Sequence, residues 1–427
     1  GGLTLTGTRV VFSNNGNNFA GDVSVSDGTV YQNGVAGAIP DGSSVALDGP
    51  ASQFRLNGNS ETIGALLGSG VVQNSAGTSN TLTVGGGNRS GSFSGSLINN
   101  IGVFNLAKTG TSVQTLSGTS TYTGTTSIST GVLLVNGSLG ATSTSVAAAG
   151  TLGGSGTIAG AVSNNGTIAP GSGGIGSLTI NQTLTLAGGS QLAWEIAAWT
   201  GSAGGGYDVI TANALDLTAT SSSRITIRPA ELTLVNFTES NATFTLVQTT
   251  SGITGFSADK FSIDTSGLAQ PKGTWAVQQS GNNLVLAYTA LTVPDANGNG
   301  ISDVWETDQF GNADPGENPA DGDPDGDGIT NLMEYALDTD PENFNVNPIF
   351  YDYATLGDGK HLRMTISKNP LATNLNYIVE TCASLDDWSV IHTTVEVSNA
   401  SQLIVRDNLS ATAAARRFIR LRVTTVP

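Results

Sequence analysis

The chain reads as all-β: a parallel β-helix, or β-solenoid, over residues 1–291, a small acidic loop module over 292–343, and an antiparallel β-sandwich over 344–427. Three observations predict this. First, Ser120-Thr-Tyr-Thr-Gly-Thr-Thr-Ser-Ile-Ser-Thr-Gly-Val-Leu-Leu-Val-Asn-Gly137 answers Asn17 to Gly34 without a gap, at a constant offset of 103 residues. Phe19 stands for Tyr122, Gly28 for Gly131 and Asn33-Gly34 for Asn136-Gly137. Long-period recurrence marks a repeat architecture. Second, short runs of Val, Leu and Ile alternate with Thr, Ser and Asn and break at Gly or Asn-Gly, the pattern of strands joined at tight corners. Third, the composition turns abruptly acidic after Pro294, and alternation then returns.

At 427 residues the chain is long enough for two or three domains. Only 11% of residues are charged and 57 are glycine, yet regular apolar alternation supplies a core, which argues against disorder. The net charge of −17 argues against nucleic acid and anionic membranes as partners. Cys382 is the one cysteine, so an intrachain disulfide framework is excluded. Apolar runs all fall short of the roughly 20 residues that span a bilayer, so membrane insertion is not expected. The sequence opens at Gly1-Gly2 without Met or a leader-like segment, and we expect a processed, exported chain.

The first strands are expected at Leu3–Leu5, Val10–Phe12, Val23–Val25, Val45–Leu47 and Phe54–Leu56, followed by Leu82–Val84, Val103-Phe104, Val113–Leu116, Ile128 and Leu133–Val135. Thr151–Ile158, Asn165–Ile168 and Gly176–Ile180 read as successive rungs. Each rung buries its inward side chains on its neighbours, so stability is a sum over interfaces. Leu116-Ser-Gly118, Tyr122-Thr-Gly124, Gly131 to Gly137, Gly154 to Ile158 and Ala169-Pro-Gly171 resemble the autotransporter-associated β-strand repeat, or passenger-associated transport repeat. The earlier copy departs at Ala20 and Asp22. The resemblance implies a right-handed parallel β-helix on an exported surface protein and implies no chemistry. The sequence carries no transporter barrel, so transport through a barrel of its own is not expected.

From Gln191 to Tyr288 the strands lengthen and Trp194, Trp199 and Trp275 concentrate. Aromatics here close the end of the solenoid or, less simply, form a row that stacks on sugars. Hydrolytic β-helix enzymes need paired carboxylates on one face. Between Glu61 and Glu195 there is no Asp or Glu, and both histidines lie beyond the solenoid. No catalytic residue is therefore expected.

The segment 292–343 holds fourteen Asp and Glu and no Lys or Arg. Such density repels itself unless cations neutralise it, and here the acids are spaced. Asp295, Asn297, Asn299, Asp303 and Glu306 occupy positions 1, 3, 5, 9 and 12 of a loop, with Gly300 at position 6 and the Ile301 carbonyl at position 7. Asp323, Asp325, Asp327, the Ile329 carbonyl, Asn331 and Glu334 repeat that template 28 residues later. Alternate oxygens point inward and the last Glu can chelate with both of its own, a hard donor set that selects Ca²⁺. The loops resemble EF-hand and thrombospondin type 3 calcium repeats. Pro294 stands where an EF-hand has its entering helix, so regulatory opening of a helix pair is not expected. Short helices after each loop, Val304–Gln309 and Leu332–Leu337, should lay Trp305 and Tyr335 into a small core.

In the C-terminal part, Leu362–Ile366, Tyr377–Glu380, Val390–Val397, Leu403–Val405 and Arg417–Val423 read as strands of a small sandwich. Leu385-Asp-Asp-Trp388 and Arg417 to Arg422 resemble terminal β-domains that follow such calcium repeats in exported bacterial proteins. His361 and His392 read as structural. Arg416, Arg417, Arg420 and Arg422 form either a solvated edge or a docking strip for an acidic surface.

The expected function is structural: a subunit of an extracellular filament, sheath or adhesive layer, stiffened by Ca²⁺. Leu3–Leu5 begins beside Gly1 with no capping helix, and Lys and Pro are absent from the first 39 residues. An unprotected rung invites strand pairing, so head-to-tail self-association with the arginine-rich strand is the expected partnership. The alternative is a carbohydrate-binding or polysaccharide-degrading β-helix protein, with cell-surface polysaccharide as partner.

Overall fold

A computed structural model describes residues 2–237, 240–269, 273–290, 293–313, 318–344, 348–413 and 416–425. Asp314 and Glu317, two of the fourteen acids of segment 292–343, lie outside them. The fold is all-β with about 5% helix, a parallel β-solenoid of about nine turns and antiparallel sheets near the C-terminus. Contacts divide it into two compact units: Gly1–Leu268 with Thr274–Thr289, and Ala290–Pro427 with Ala269–Gly273.

In the solenoid, equivalent residues stack in register. Tyr31 pairs with Phe54, Phe54 with Val72 and Val72 with Leu97, all fully buried. A longer ladder runs Leu133, Leu152, Ile168, Leu192, Ile227 and Ile263, each on the rung after the last. The alternation read in the sequence thus becomes stacked inward columns, each stabilised by rungs above and below. The 103-residue repeat is visible as geometry. Val23–Ser26 and Val30–Asn33 flank Gly28 at φ 78°, and Thr126–Val135 carries Gly131 at φ 69° in the equivalent place. A side chain at either position would be strained in this left-handed conformation.

The closing rungs differ from the expectation of parallel strands throughout. Thr274–Ser280 and Asn283–Thr289 form an antiparallel hairpin, and Asn283–Thr289 also pairs antiparallel with Ala242–Thr249. The hairpin covers the edge of Ala242–Thr249 with antiparallel strands in place of a further parallel rung there. Trp194, Trp199, Tyr207, Phe244 and Tyr288 pack beneath it, each under a tenth exposed. These aromatics fill the widened end of the core, as the simpler of the two readings held, and offer no row of exposed rings.

Among the described residues of the solenoid two carboxylates are buried. Glu61 accepts Asn33 Nδ2 at 2.6 Å and the amides of Ala38 and Ile39 at 3.1 and 3.0 Å, tying a corner to the core. Asp208 accepts the amides of Gly176 (2.8 Å) and Glu195 (2.9 Å), one on each oxygen. Burial pushes its pKa up from 3.8 to about 7, with Glu195 adding to the rise. A group held above its unfolded value contributes stability that is complete below pH 3.8 and lost as pH rises through about 7. Burial raises Glu61 as well, with the same sign. The solenoid's melting temperature should therefore fall between pH 4 and pH 7, with Asp208→Asn flattening the slope. Calorimetry of both chains across that range checks it.

In the second unit, Ile349–Leu356, Gly359–Ser367, Gln402–Ser410 and Thr393–Ser398 form an antiparallel four-stranded sheet, faced by the pair Leu375–Cys382 and Phe418–Thr425. Met364, Ile366, Leu403 and Val405 of one sheet meet Val379, Ile419 and Leu421 of the other. The strand Ile349–Leu356 was not foreseen, although Gly357-Asp-Gly359 after it is a hairpin signal.

Candidate metal centre

Both acidic loops fold alike, and side-chain oxygens dictate the fold. Position 1 accepts the amide of position 6: Gly300 N donates to Asp295 Oδ2 at 2.9 Å, and Gly328 N to Asp323 Oδ2 at 3.0 Å. Position 3 accepts the amide of position 5, Asn299 N to Asn297 Oδ1 and Asp327 N to Asp325 Oδ1, both at 3.0 Å. Position 5 accepts the amide of position 7, Ile301 N to Asn299 Oδ1 and Ile329 N to Asp327 Oδ1, both at 2.8 Å. The glycines at positions 4 and 6 take φ of 72° and 88° in the first loop and 74° and 88° in the second. Only glycine adopts these values at no cost, which is why the template needs Gly at both places.

A short helix leaves each loop: α1, Asp303–Phe310, and α2, Asn331–Leu337. Each begins near position 9 and so carries the position-12 glutamate inward. Glu306 and Glu334 are fully buried. In the first loop Glu306 takes Asn297 Nδ2 at 3.0 Å and Asn299 Nδ2 at 2.6 Å, one on each oxygen, so positions 3, 5 and 12 converge. Asp303 turns to the loop's own backbone, both oxygens 3.1 Å from Ala296 N. In the second loop Asp323, Asp325 and Asp327 bring carboxylate oxygens within 4.8 Å of one another. Among the described residues they form the one such trio; Asp295, Asp303 and Glu306 do not gather as closely.

The second loop passes a chemical test for a cation. Asn331 is fully buried; its Nδ2 donates to the Pro319 carbonyl at 2.8 Å, while its Oδ1 has no hydrogen-bond partner. Asp325 Oδ2 is likewise buried without one. An orphaned buried acceptor costs about 1–3 kcal/mol, and carboxylates at this spacing repel by about 1–4 kcal/mol per pair depending on local dielectric. A hard divalent cation offsets both costs. Asp323, Asp325, Asp327, the Ile329 carbonyl, Asn331 and Glu334 would hold it, and Asp295, Asn297, Asn299, the Ile301 carbonyl, Asp303 and Glu306 are the corresponding set in the first loop.

The loops do not have a core of their own. Ile301, Tyr335 and Ala336 are buried with Leu375, at the start of its strand, and Ala372, in the loop before it, and Trp305, Leu332, Tyr377 and Val423 pack on them. The Trp305 and Tyr335 rings lie 5.5 Å apart, so the two helices meet through their aromatics, as expected.

Three arginines in or just before the last strand pair with two carboxylates of the same unit. Arg417 pairs with the buried Asp407 at 2.5 Å, and Arg420 and Arg422 share Glu380 at 2.8 and 3.4 Å. Arg420 also stacks on Trp388, 4.2 Å from the ring centre. Arg417 is buried in its pair, whereas Arg420 and Arg422 keep exposed side chains while sharing Glu380. His361 is buried and tied to the Asp407 carbonyl (3.0 Å) and Asp358 (2.9 Å), a structural role.

No family model matches the chain. A local likeness exists to "Adhesin BmaC autotransporter" of Brucella suis biovar 1 (strain 1330), 34% identical over 136 residues. The match takes 31% of this chain and 4% of that protein, so the chain corresponds to a small part of the relative's length. Over those 136 residues the chain is similar to part of that autotransporter adhesin. No helix among the described residues is long and apolar enough to cross a membrane.

Proposed function

We propose that the chain is an exported surface protein with a structural, adhesive role, whose second unit is ordered by Ca²⁺. The likeness to an autotransporter adhesin and the regular solenoid support the adhesive part. The calcium part is carried by one observation above others: in a loop whose three aspartates converge, Asp325 Oδ2 and Asn331 Oδ1 are buried acceptors without a hydrogen-bond partner. Affinities of roughly 10⁻⁴ to 10⁻³ M suit such a module in extracellular fluid.

The finer reading is a subunit of a filament, sheath or layer. Strand Leu3–Leu5 pairs parallel with Val23–Val25 on one side, and its other edge can take a further rung, from its own chain or another copy. Sedimentation velocity and negative-stain imaging at high concentration, with and without Ca²⁺, test this. Polymers in calcium that dissociate when residues 2–12 are deleted are expected, and a strict monomer would overturn self-assembly. The polysaccharide-binding alternative keeps less support, because Trp194 and Trp199 are buried rather than presented.

A further inference from the structure

We propose that Asn374, far outside both acidic loops in sequence, is a positioning residue that clamps the two cation sites together and makes their filling cooperative. This rests on the Ca²⁺ reading above and adds a coupling that the loop sequences do not contain.

Asn374 precedes strand Leu375–Cys382. Its Nδ2 donates to the Gly300 carbonyl at 2.9 Å, and its Oδ1 accepts the Tyr335 hydroxyl at 3.0 Å. The direction of both bonds is fixed by chemistry: a backbone carbonyl can only accept, so the amide nitrogen faces Gly300 and the oxygen is left for the hydroxyl. One side chain therefore touches the position-6 turn of the first loop and the residue directly after Glu334 in the second.

Each contact acts one bond away from a ligand position. The Gly300–Ile301 peptide held through its carbonyl by Asn374 is held through its N–H by Asn299 Oδ1, at 2.8 Å. Fixing that peptide aims both the Asn299 amide and the Ile301 carbonyl that follows. On the other side, Tyr335 is anchored at its hydroxyl by Asn374 and at its carbonyl by Asn369 Nδ2, at 2.9 Å. Asn369 N and Tyr377 Oη both donate to the next carbonyl, Ala336, at 2.8 and 2.6 Å. These four bonds set the rotation of α2 about its axis, and with it the depth at which Glu334 sits. Ile301 and Tyr335 also share one buried cluster, so the loops cannot shift independently without opening it. Ordering one loop around a cation fixes Gly300 or Tyr335, and Asn374 passes that order to the other. The second cation then meets a loop whose ordering cost is already met, which is positive cooperativity through shared rigidity.

Titration of the full chain with Ca²⁺ alone, by calorimetry, tests the clamp. In the unaltered chain the second ion should bind more tightly than the first, by about fivefold or more, within the usual range of site-to-site coupling. Asn374→Ala should make the two steps independent, and Tyr335→Phe, which keeps the ring and removes only the hydroxyl, should do so in part. The readout that separates a clamp from general support is a cycle with Asp325→Ala, which disables the second loop. In that background Asn374→Ala should cost first-loop affinity only what its own bond to the Gly300 carbonyl supplies, less than the loss it causes in the second step of the unaltered chain, and the difference between the two losses is the coupling. If Tyr335→Phe and Asn374→Ala bind two ions with the steps of the unaltered chain, the clamp is wrong while the calcium reading stands. If the unaltered chain takes up no Ca²⁺, both fall.

Discussion

In a chelator, the unit Ala290–Pro427 should melt well below its temperature in 10 mM Ca²⁺, while the solenoid's own transition stays in place. A site with a dissociation constant of roughly 10⁻⁴ to 10⁻³ M is then ten- to a hundredfold saturated. By mass action each ion adds about 1.4–2.7 kcal/mol to the folded state, and two ions about 3–5 kcal/mol. That is a large share of the 5–15 kcal/mol by which domains are ordinarily stable. For a unit of this size about 1 kcal/mol moves the midpoint by about 3–5 °C, so a downward shift of about 10–25 °C is expected. The loss should extend beyond the loops, because Ile301 and Tyr335 share their cluster with Ala372 and Leu375. Strands Leu375–Cys382 and Phe418–Thr425 should lose amide protection together with α1 and α2. Asp325→Ala should lower the midpoint in calcium and hardly change it in chelator. Equal losses under both conditions, or a chelated unit that melts where the loaded one does, would refute the cation's role.

The solenoid and the loops were legible in the sequence for different reasons. The solenoid announces itself because each inward column repeats one kind of residue: Leu133, Leu152, Ile168, Leu192 and Ile227 stack on successive rungs. The loops announce themselves because their backbone is held by side-chain oxygens at alternate positions and turns at fixed glycines, and Gly298, Gly300, Gly326 and Gly328 sit where φ is positive. What stayed hidden is long-range. Nothing near Asn374 marks it as the partner of Gly300, 74 residues earlier. The arginines of the last strand looked like a free basic strip because Glu380, which holds two of them, lies about 40 residues upstream. Likewise the antiparallel closing hairpin has the same alternation as the parallel rungs before it, since side-chain period does not depend on strand direction.

That closing hairpin carries the second large effect: Trp199→Ala should destabilise the solenoid by about 3–5 kcal/mol, the range for deleting a large buried aromatic. Trp199 is 5% exposed and sits at the centre of the aromatic cluster. Its ring centre lies 4.8 Å from Phe237, 5.0 Å from Phe244, 5.1 Å from Tyr288 and 6.0 Å from Trp275, each contact edge-on. Edge-on pairs add about 0.5–1.5 kcal/mol beyond area burial, so neighbours cannot collapse into the space without losing their own geometry. Phe244 lies on Ala242–Thr249 and Tyr288 on Asn283–Thr289, so the missing ring loosens the pairing that closes the last coil. In a stack of rungs, stability is a sum over adjacent interfaces, and damage at the closed end should spread inward from it. Hydrogen exchange should therefore accelerate first at 242–249 and 283–289, with Val45–Asp48 protected as before. Trp199→Phe should recover part of the loss by restoring a ring of smaller area. Urea unfolding that shows less than about 1 kcal/mol for the alanine variant, or faster exchange at Val45–Asp48 than at the hairpin, would contradict the view that these aromatics close the solenoid.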